Sequence, residues 1–169
     1  GKSTQLAAGL NGQGLLVANE IHPVRVKALA ENLERCGVKN AVVTNETPEK
    51  LQERFPQFFD KILVDAPCSG EGMFRKLPEA IEDWSPDKVT ECHLMQQDIL
   101  DAASAMLKPG GTLVYSTCTF APLENEQSLV DFLTRHPEFT VVELPEPGWF
   151  APGQPDWANP RCEPLGKTA

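Results

Sequence analysis

Short apolar runs alternate along this chain with segments whose apolar residues recur every three to four positions. Gly14 to Asn19, Ala41 to Thr44, Lys61 to Val64 and Thr112 to Tyr115 read as strands. Ile62-Leu63-Val64 and Leu113-Val114-Tyr115 are continuous rather than alternating, as burial on both faces requires. Between them, Pro23 to Cys36 carries an apolar stripe of Val26, Leu29, Ala30 and Leu33, with a proline in its first turn and Gly37 as its stop. Pro48 to Phe55 reads as a short helix. Ser69 to Trp84 is irregular. A long helix is predicted from an N-cap at Ser85, with Pro86 at its first position, to about Leu107, where Pro109-Gly110-Gly111 ends it. Leu123 to His136 reads as another helix and Phe139 to Leu144 as a last strand. After Pro145 prolines are frequent and periodicity is lost, which reads as a loop or linker.

Such alternation predicts an α/β fold with a mostly parallel sheet covered by helices on both faces. The expected organisation is one core over residues 1–145 and a proline-rich tail over 146–169. Both ends look cut. Gly1-Lys2-Ser3-Thr4 reads as the inside of a glycine-rich loop without its preceding strand, and the tail stops mid-loop. The chain is therefore expected to be an excerpt of a longer protein.

Composition changes this picture in three places. At 169 residues, 41% of them hydrophobic, the chain can bury a sizeable single core. No apolar run approaches the ~18 residues of a membrane span, and the opening has no signal-peptide pattern, so the expected compartment is cytoplasmic. The net charge of −9 argues against a dominant nucleic-acid-binding surface, though not against a local basic patch. The five cysteines, Cys36, Cys68, Cys92, Cys118 and Cys162, are widely spaced with no Cys-x-x-Cys pair. Free thiols are expected rather than a zinc site or a disulfide framework.

The chemistry concentrates at strand ends. Asp65-Ala66-Pro67-Cys68-Ser69-Gly70 follows one buried run and Ser116-Thr117-Cys118-Thr119 the other. Ligands of open α/β sheets bind outside the carboxyl ends of parallel strands. The two thiols and the Asp65 carboxylate are thus expected to face one cleft, with Arg75 and Lys76 just beyond, placed for phosphates. Glu20 ends an earlier strand, about twenty residues after a glycine loop, where an acid commonly holds ribose hydroxyls. Asn45 ends the next strand and is a weaker candidate for an adenine edge. Cys36 and Cys92 read as packing residues, Cys162 has no assigned role, and Glu124-Asn125-Glu126 reads as the start of a solvated helix face. His22, His93 and His136 form no evident constellation, and no metal is expected.

Together these motifs resemble the RNA 5-methylcytosine methyltransferases of the Nol–Nop–Sun group, and among them the bacterial F-type enzymes of small-subunit ribosomal RNA. The resemblance rests on Asp65-Ala66-Pro67-Cys68-Ser69-Gly70-Glu71-Gly72 and Ser116-Thr117-Cys118-Thr119. It is supported by Pro109 to Tyr115, Asn19-Glu20 and Arg35-Cys36-Gly37. It implies a class I, Rossmann-like methyltransferase fold using S-adenosylmethionine, here without its first and last strands. By the same resemblance Gly1 and Lys2 match the end of the cofactor loop, Glu20 the ribose-binding acid and Asn45 the neighbourhood of adenine. Asp65 and Cys68 match the fourth motif, with Asp65 beside both base and cofactor, and Cys118 matches the nucleophile.

The expected reaction is methylation of cytosine C5 in RNA. C5 is a poor nucleophile, and adding a thiolate at C6 makes it enamine-like. Cys118 is expected to add, Asp65 to orient the base by donating to N3 from a buried, protonated carboxyl, and Cys68 to assist release of the adduct. Three rivals share some of these residues. A P-loop nucleotide hydrolase leaves both cysteines unexplained, an amino-group methyltransferase on the same fold leaves Cys118 idle, and a non-catalytic RNA-assembly domain needs neither thiol.

Overall fold

The computed structural model describes residues 1–143 and 151–158. They fall into two compact units, Gly1–Arg54 and Phe55 onward.

In the first unit, α1 (Lys2–Leu10) comes first, and β1 (Leu16–Asn19), α2 (Arg25–Arg35), β2 (Ala41–Thr44) and α3 (Pro48–Arg54) then follow the predicted order. β1 and β2 pair in parallel, Leu16 opposite Ala41 and Asn19 opposite Thr44. Ala7, Ala18 and Leu33 form the buried core, with Leu16, Leu29, Val38, Ala41 and Val43 packed on it. The α2 stripe thus does what its spacing predicts. Gly37 ends the helix in the left-handed region, at φ 67°. From there the Val38 N–H reaches the Leu33 carbonyl at 3.1 Å, satisfying an end group that the helix leaves open. Cys36, expected to pack, is instead exposed, because it lies past the last turn of the helix.

The second unit contains β3 (Phe59–Asp65), a 3-10 turn (Glu71–Met73), α4 (Glu79–Glu82), α5 (Pro86–Met106), β4 (Leu107–Ser116), a second 3-10 turn (Pro122–Glu124), α6 (Glu126–Arg135) and a third turn (Pro155–Trp157). β3 and β4 are parallel, with α5 as the crossover. Val64, Ala66 and Ala103 are buried among Ile62, Ile99, Leu113 and Tyr115. The Ser85 hydroxyl caps α5 by accepting the Lys88 N–H at 3.1 Å.

Three boundaries differ from expectation by more than two residues, and α4 forms within the stretch expected to be irregular. β4 begins at Leu107, and Pro109-Gly110-Gly111 becomes an irregularity inside the strand rather than a gap before it. Gly111 permits this, since a Cβ there would lie 2.9 Å from the Asp60 carbonyl oxygen and 2.8 Å from the Leu107 side chain. The helix expected from Leu123 starts as a 3-10 turn and breaks at Asn125 (φ −116°, ψ −91°) before α6. Residues 139–143 of the expected last strand form no strand, and Leu144 lies outside the described residues. Phe139 folds back on α6 instead, its N–H 3.0 Å from the His136 carbonyl and its ring edge-on to Phe132 at 5.0 Å. Val141 and Val142 stay exposed, because β-forming side chains make a strand only where a neighbour supplies the ladder. Part of the tail packs: Ala158 is buried against Val130 of α6.

Candidate active site

Parallel pairing sets Asp65 opposite Ser116, and the ladder runs one step further, from the Ala66 N–H to the Ser116 carbonyl at 2.9 Å. Both chains then leave the sheet side by side. Cys68 and Cys118 follow within three residues, and their sulfurs stand 2.9 Å apart without a covalent bond. The Cys118 N–H also points at the Cys68 sulfur, at 3.2 Å. The predicted meeting of the two thiols is therefore what the fold builds.

Their surroundings differ. Cys118 is exposed and Cys68 half-buried. Burial, reinforced by the hydrogen bond with Cys118, pushes the Cys68 thiol up to about 12. Cys68 thus keeps its proton at neutral pH and is a weak nucleophile, since only the thiolate attacks. Iodoacetamide at neutral pH is expected to modify Cys118 at least ~10-fold faster than Cys68. Peptide mapping reads this directly, with exposed Cys36 as reference, and equal rates would contradict the assignment of roles.

The two loops are tied together by side chains that the sequence reading left outside the site. Glu124 is fully buried rather than solvated. Its Oε1 accepts the Ser69 N–H at 2.9 Å and the Gln96 amide at 3.0 Å, and its Oε2 faces the hydroxyls of Ser69 and Thr119. Asn125 accepts the Thr117 hydroxyl at 2.6 Å and donates to the Thr119 carbonyl at 3.2 Å, gripping the chain on both sides of Cys118. Glu71 takes the Thr119 hydroxyl, the Phe120 N–H at 2.8 Å and the Trp84 indole at 3.0 Å. Burial works to raise the Glu71 carboxyl, but these hydrogen bonds win and hold it below the usual carboxylate range. The available signal was the run of hydroxyls around Cys118, each needing a partner once the loop is packed.

Other predicted residues are placed as follows. Asp65 is exposed, not buried as its expected protonated state requires, and its Oδ1 lies 3.4 Å from the Ser116 hydroxyl. It stands at the very end of β3. Arg75 and Lys76 are exposed in the segment after the Glu71–Met73 turn. Cys92 is buried in α5, as expected of a packing residue. Cys162 lies outside the described residues. His93, expected to form no constellation with a nucleophile or metal, contacts the Ser128 hydroxyl at 2.9 Å and Asp131 at 3.3 Å. Ser128 is fully buried, so this is a brace between α5 and α6 that no substrate reaches. No cluster of three metal-ligating side chains occurs among the described residues, and no helix among them is long and apolar enough to cross a membrane.

The first unit carries the cofactor candidates. Gly1 caps α1, whose first turn holds Lys2 and Thr4, and the Thr4 hydroxyl returns to the Gly1 carbonyl at 2.8 Å. Glu20 follows β1, its Oε1 taking the His22 N–H at 2.9 Å and the Arg25 guanidinium at 3.0 Å. These fix the carboxylate while leaving it acceptor-only, the chemistry that two vicinal hydroxyls need. Asn45 spends its amide hydrogens on the carbonyls of Glu20 and Ile21, at 2.6 and 2.8 Å. It braces the loop under Glu20, and an adenine contact would fall to its oxygen.

A family model described as 16S rRNA methyltransferase RsmB/F matches residues 1–155. Ribosomal RNA small subunit methyltransferase F of Aliivibrio fischeri is 50% identical over 125 residues, 74% of this chain and 26% of that protein. The protein of the same name from Escherichia fergusonii is 43% identical over 152 residues, 90% of this chain and 31% of that protein. The chain thus spans about a quarter to a third of these relatives. Among solved structures, a methyltransferase homologue of Pyrococcus horikoshii shares 32% identity at a TM-score of 0.74, covering 92% of this chain and 47% of that one. NSun6 of the same organism, solved with SFG, shares 31% at 0.70, covering 88% and 38%. The α/β fold with parallel strands is that of the Rossmann-like methyltransferases, and the chain belongs to the RsmB/F family of 16S rRNA methyltransferases.

Proposed function

We propose that this chain is the catalytic part, spanning residues 1–145 with a loop or linker beyond, of a cytoplasmic enzyme that methylates C5 of cytosine in small-subunit ribosomal RNA. The observation that carries the reading is the thiol pair: two free cysteines 2.9 Å apart at the ends of one parallel strand pair, one exposed and one half-buried. The names of the relatives support the substrate class, and the family match takes away the ground for a P-loop hydrolase or an amino-group methyltransferase.

S-adenosylmethionine fits the first unit's donor set and would supply an electrophilic methyl group. A neighbour solved with SFG, an analogue of it, supports this choice. Glu20 would hold the ribose hydroxyls, Gly1 and Lys2 the start of α1 against the cofactor, and Asn45 the adenine side. The remaining work falls to the second unit. Cys118, as thiolate, adds to C6 of the base and pushes electron density onto C5. Asp65, desolvated by the base, donates to N3 and stabilises the adduct. Once C5 carries its methyl group, its proton leaves to a base and the Cys118–C6 bond breaks, restoring the ring. Cys68 lies against Cys118 and assists this last step. Arg75 and Lys76 hold flanking phosphates of looped or flipped RNA, because C6 is unreachable within a stack.

The testing experiment uses the complete parent protein with small-subunit ribosomal RNA and methyl-labelled S-adenosylmethionine. Cys68→Ala is expected to accumulate a labelled protein–RNA band on a denaturing gel, because addition proceeds and release does not. Normal turnover in Cys68→Ala, with no band, would remove Cys68 from the mechanism.

A further inference from the structure

We propose that Glu124 is the positioning residue of the thiol pair: its buried carboxylate clamps the loop after β3 to the loop after β4 and thereby sets the distance between Cys68 and Cys118. The proposal rests on the two-thiol reading above and adds a residue to it.

The contacts straddle both cysteines. Ser69, next to Cys68, gives Glu124 both its N–H and its hydroxyl. Thr119, next to Cys118, shares its one hydroxyl hydrogen between Glu71 and Glu124, whose Oε2 lies 3.1 Å away, and the Ser69 and Thr119 oxygens are themselves 3.0 Å apart. Gln96 of α5 donates to Glu124 and, at 2.9 Å, to the carbonyl of Pro67 on the other side of Cys68. The clamp is itself anchored: the Tyr115 hydroxyl holds the Glu124 carbonyl at 2.7 Å. A fully buried carboxylate is costly unless its oxygens are met, and here backbone, amide and hydroxyl donors meet them. An apolar group of similar volume would fill the space but leave the buried Ser69 N–H and Gln96 amide without this acceptor. Joining two loops 50 residues apart in sequence requires a forked polar side chain, one arm taking the Ser69 and Gln96 N–H groups and the other meeting the Ser69 and Thr119 hydroxyls.

A glutamine preserves the clamp. Its oxygen keeps the two N–H donors, and its amide offers two hydrogens to the Ser69 and Thr119 oxygens. Alanine removes every tether that runs through the Glu124 carboxylate, and aspartate is one methylene too short to hold both loops.

The experiment compares the complete parent protein with Glu124→Gln, Glu124→Ala and Glu124→Asp. The geometric probe is diamide, which takes two hydrogens from two thiols, becoming a hydrazine as the disulfide forms. Peptide mapping follows the rate of the Cys68–Cys118 disulfide. Wild type and Glu124→Gln are expected within about 3-fold of each other, with Glu124→Ala slowed at least ~10-fold. In RNA methylation, kcat should fall at least ~10-fold in Glu124→Ala at unchanged affinity for S-adenosylmethionine, and return in Glu124→Gln. If Glu124→Ala does not fold, Glu124→Asp carries the test, with slowed disulfide formation expected. A folded Glu124→Ala or Glu124→Asp that forms the disulfide at the wild-type rate overturns the proposal. So does a Glu124→Gln as slow as alanine. Absence of methylation in wild type would remove the methyltransferase reading, while the disulfide rates still decide the clamp.

Discussion

Cys118→Ala in the complete enzyme is expected to lower methyl transfer by about 10⁴-fold or more and to leave no protein–RNA adduct, the scale of losing an essential nucleophile. The reason is electronic. Without addition at C6, C5 keeps the low reactivity of an aromatic ring carbon, and holding it near a methyl donor does not change that. No neighbour substitutes. Cys68 is half-buried, and this burial, the largest cause of its raised pKa, disfavours its thiolate without Cys118 as well. Serine at 118 should fail as completely as alanine, because its hydroxyl holds its proton far more tightly than a thiol does. The controls are cofactor affinity, which should stay within a few-fold, and the double variant Cys68→Ala/Cys118→Ala, which should lose the band that Cys68→Ala alone accumulates. Methylation surviving in Cys118→Ala would eliminate the covalent route.

The thiol pair was legible in the sequence because it is a local property. A strand ends, a short polar motif follows, and parallel pairing of consecutive strands places two such ends together. The clamp was not legible, for a reason that is also physical. Three consecutive polar residues, Glu124-Asn125-Glu126, before an amphipathic helix look like a solvated first turn. Which of them turns inward depends on the 3-10 turn that precedes α6 and on donors from Ser69, 55 residues away, neither of which spacing reveals. The misplaced start of β4 has a similar origin. Pro-Gly-Gly ordinarily interrupts a strand, and only the close approach of the Asp60 carbonyl makes Gly111 part of one. Asp65 is legible in position but not in environment, since its exposure reflects side chains brought together by the fold rather than its motif.

Gly72→Ala is expected to cost about 10²-fold in kcat, close to the effect of an ångström-scale misplacement of a reacting group. Gly72 lies in the Glu71–Met73 turn and its N–H donates to the Cys118 carbonyl at 2.8 Å. A Cβ there would stand 2.5 Å from that carbonyl oxygen and 3.3 Å from its carbon. The obstacle is backbone, which cannot rotate aside as a side chain can. Relief therefore requires moving the Cys118 peptide, and with it the nucleophile. Folding should suffer too, by about 1–3 kcal/mol, the usual result of forcing a methyl into a filled space. Gly9→Ala supplies the contrast. It lies inside α1 with nothing within 4 Å of the added methyl. There the same substitution should raise stability by roughly 0.5–1 kcal/mol, as alanine replaces glycine in a helix. Chemical denaturation of both variants, beside methylation kinetics at saturating cofactor, separates the two effects. A Gly72→Ala enzyme with wild-type kcat would mean that the Cys118 loop shifts without consequence, and that the spacing of the two thiols does not set the rate.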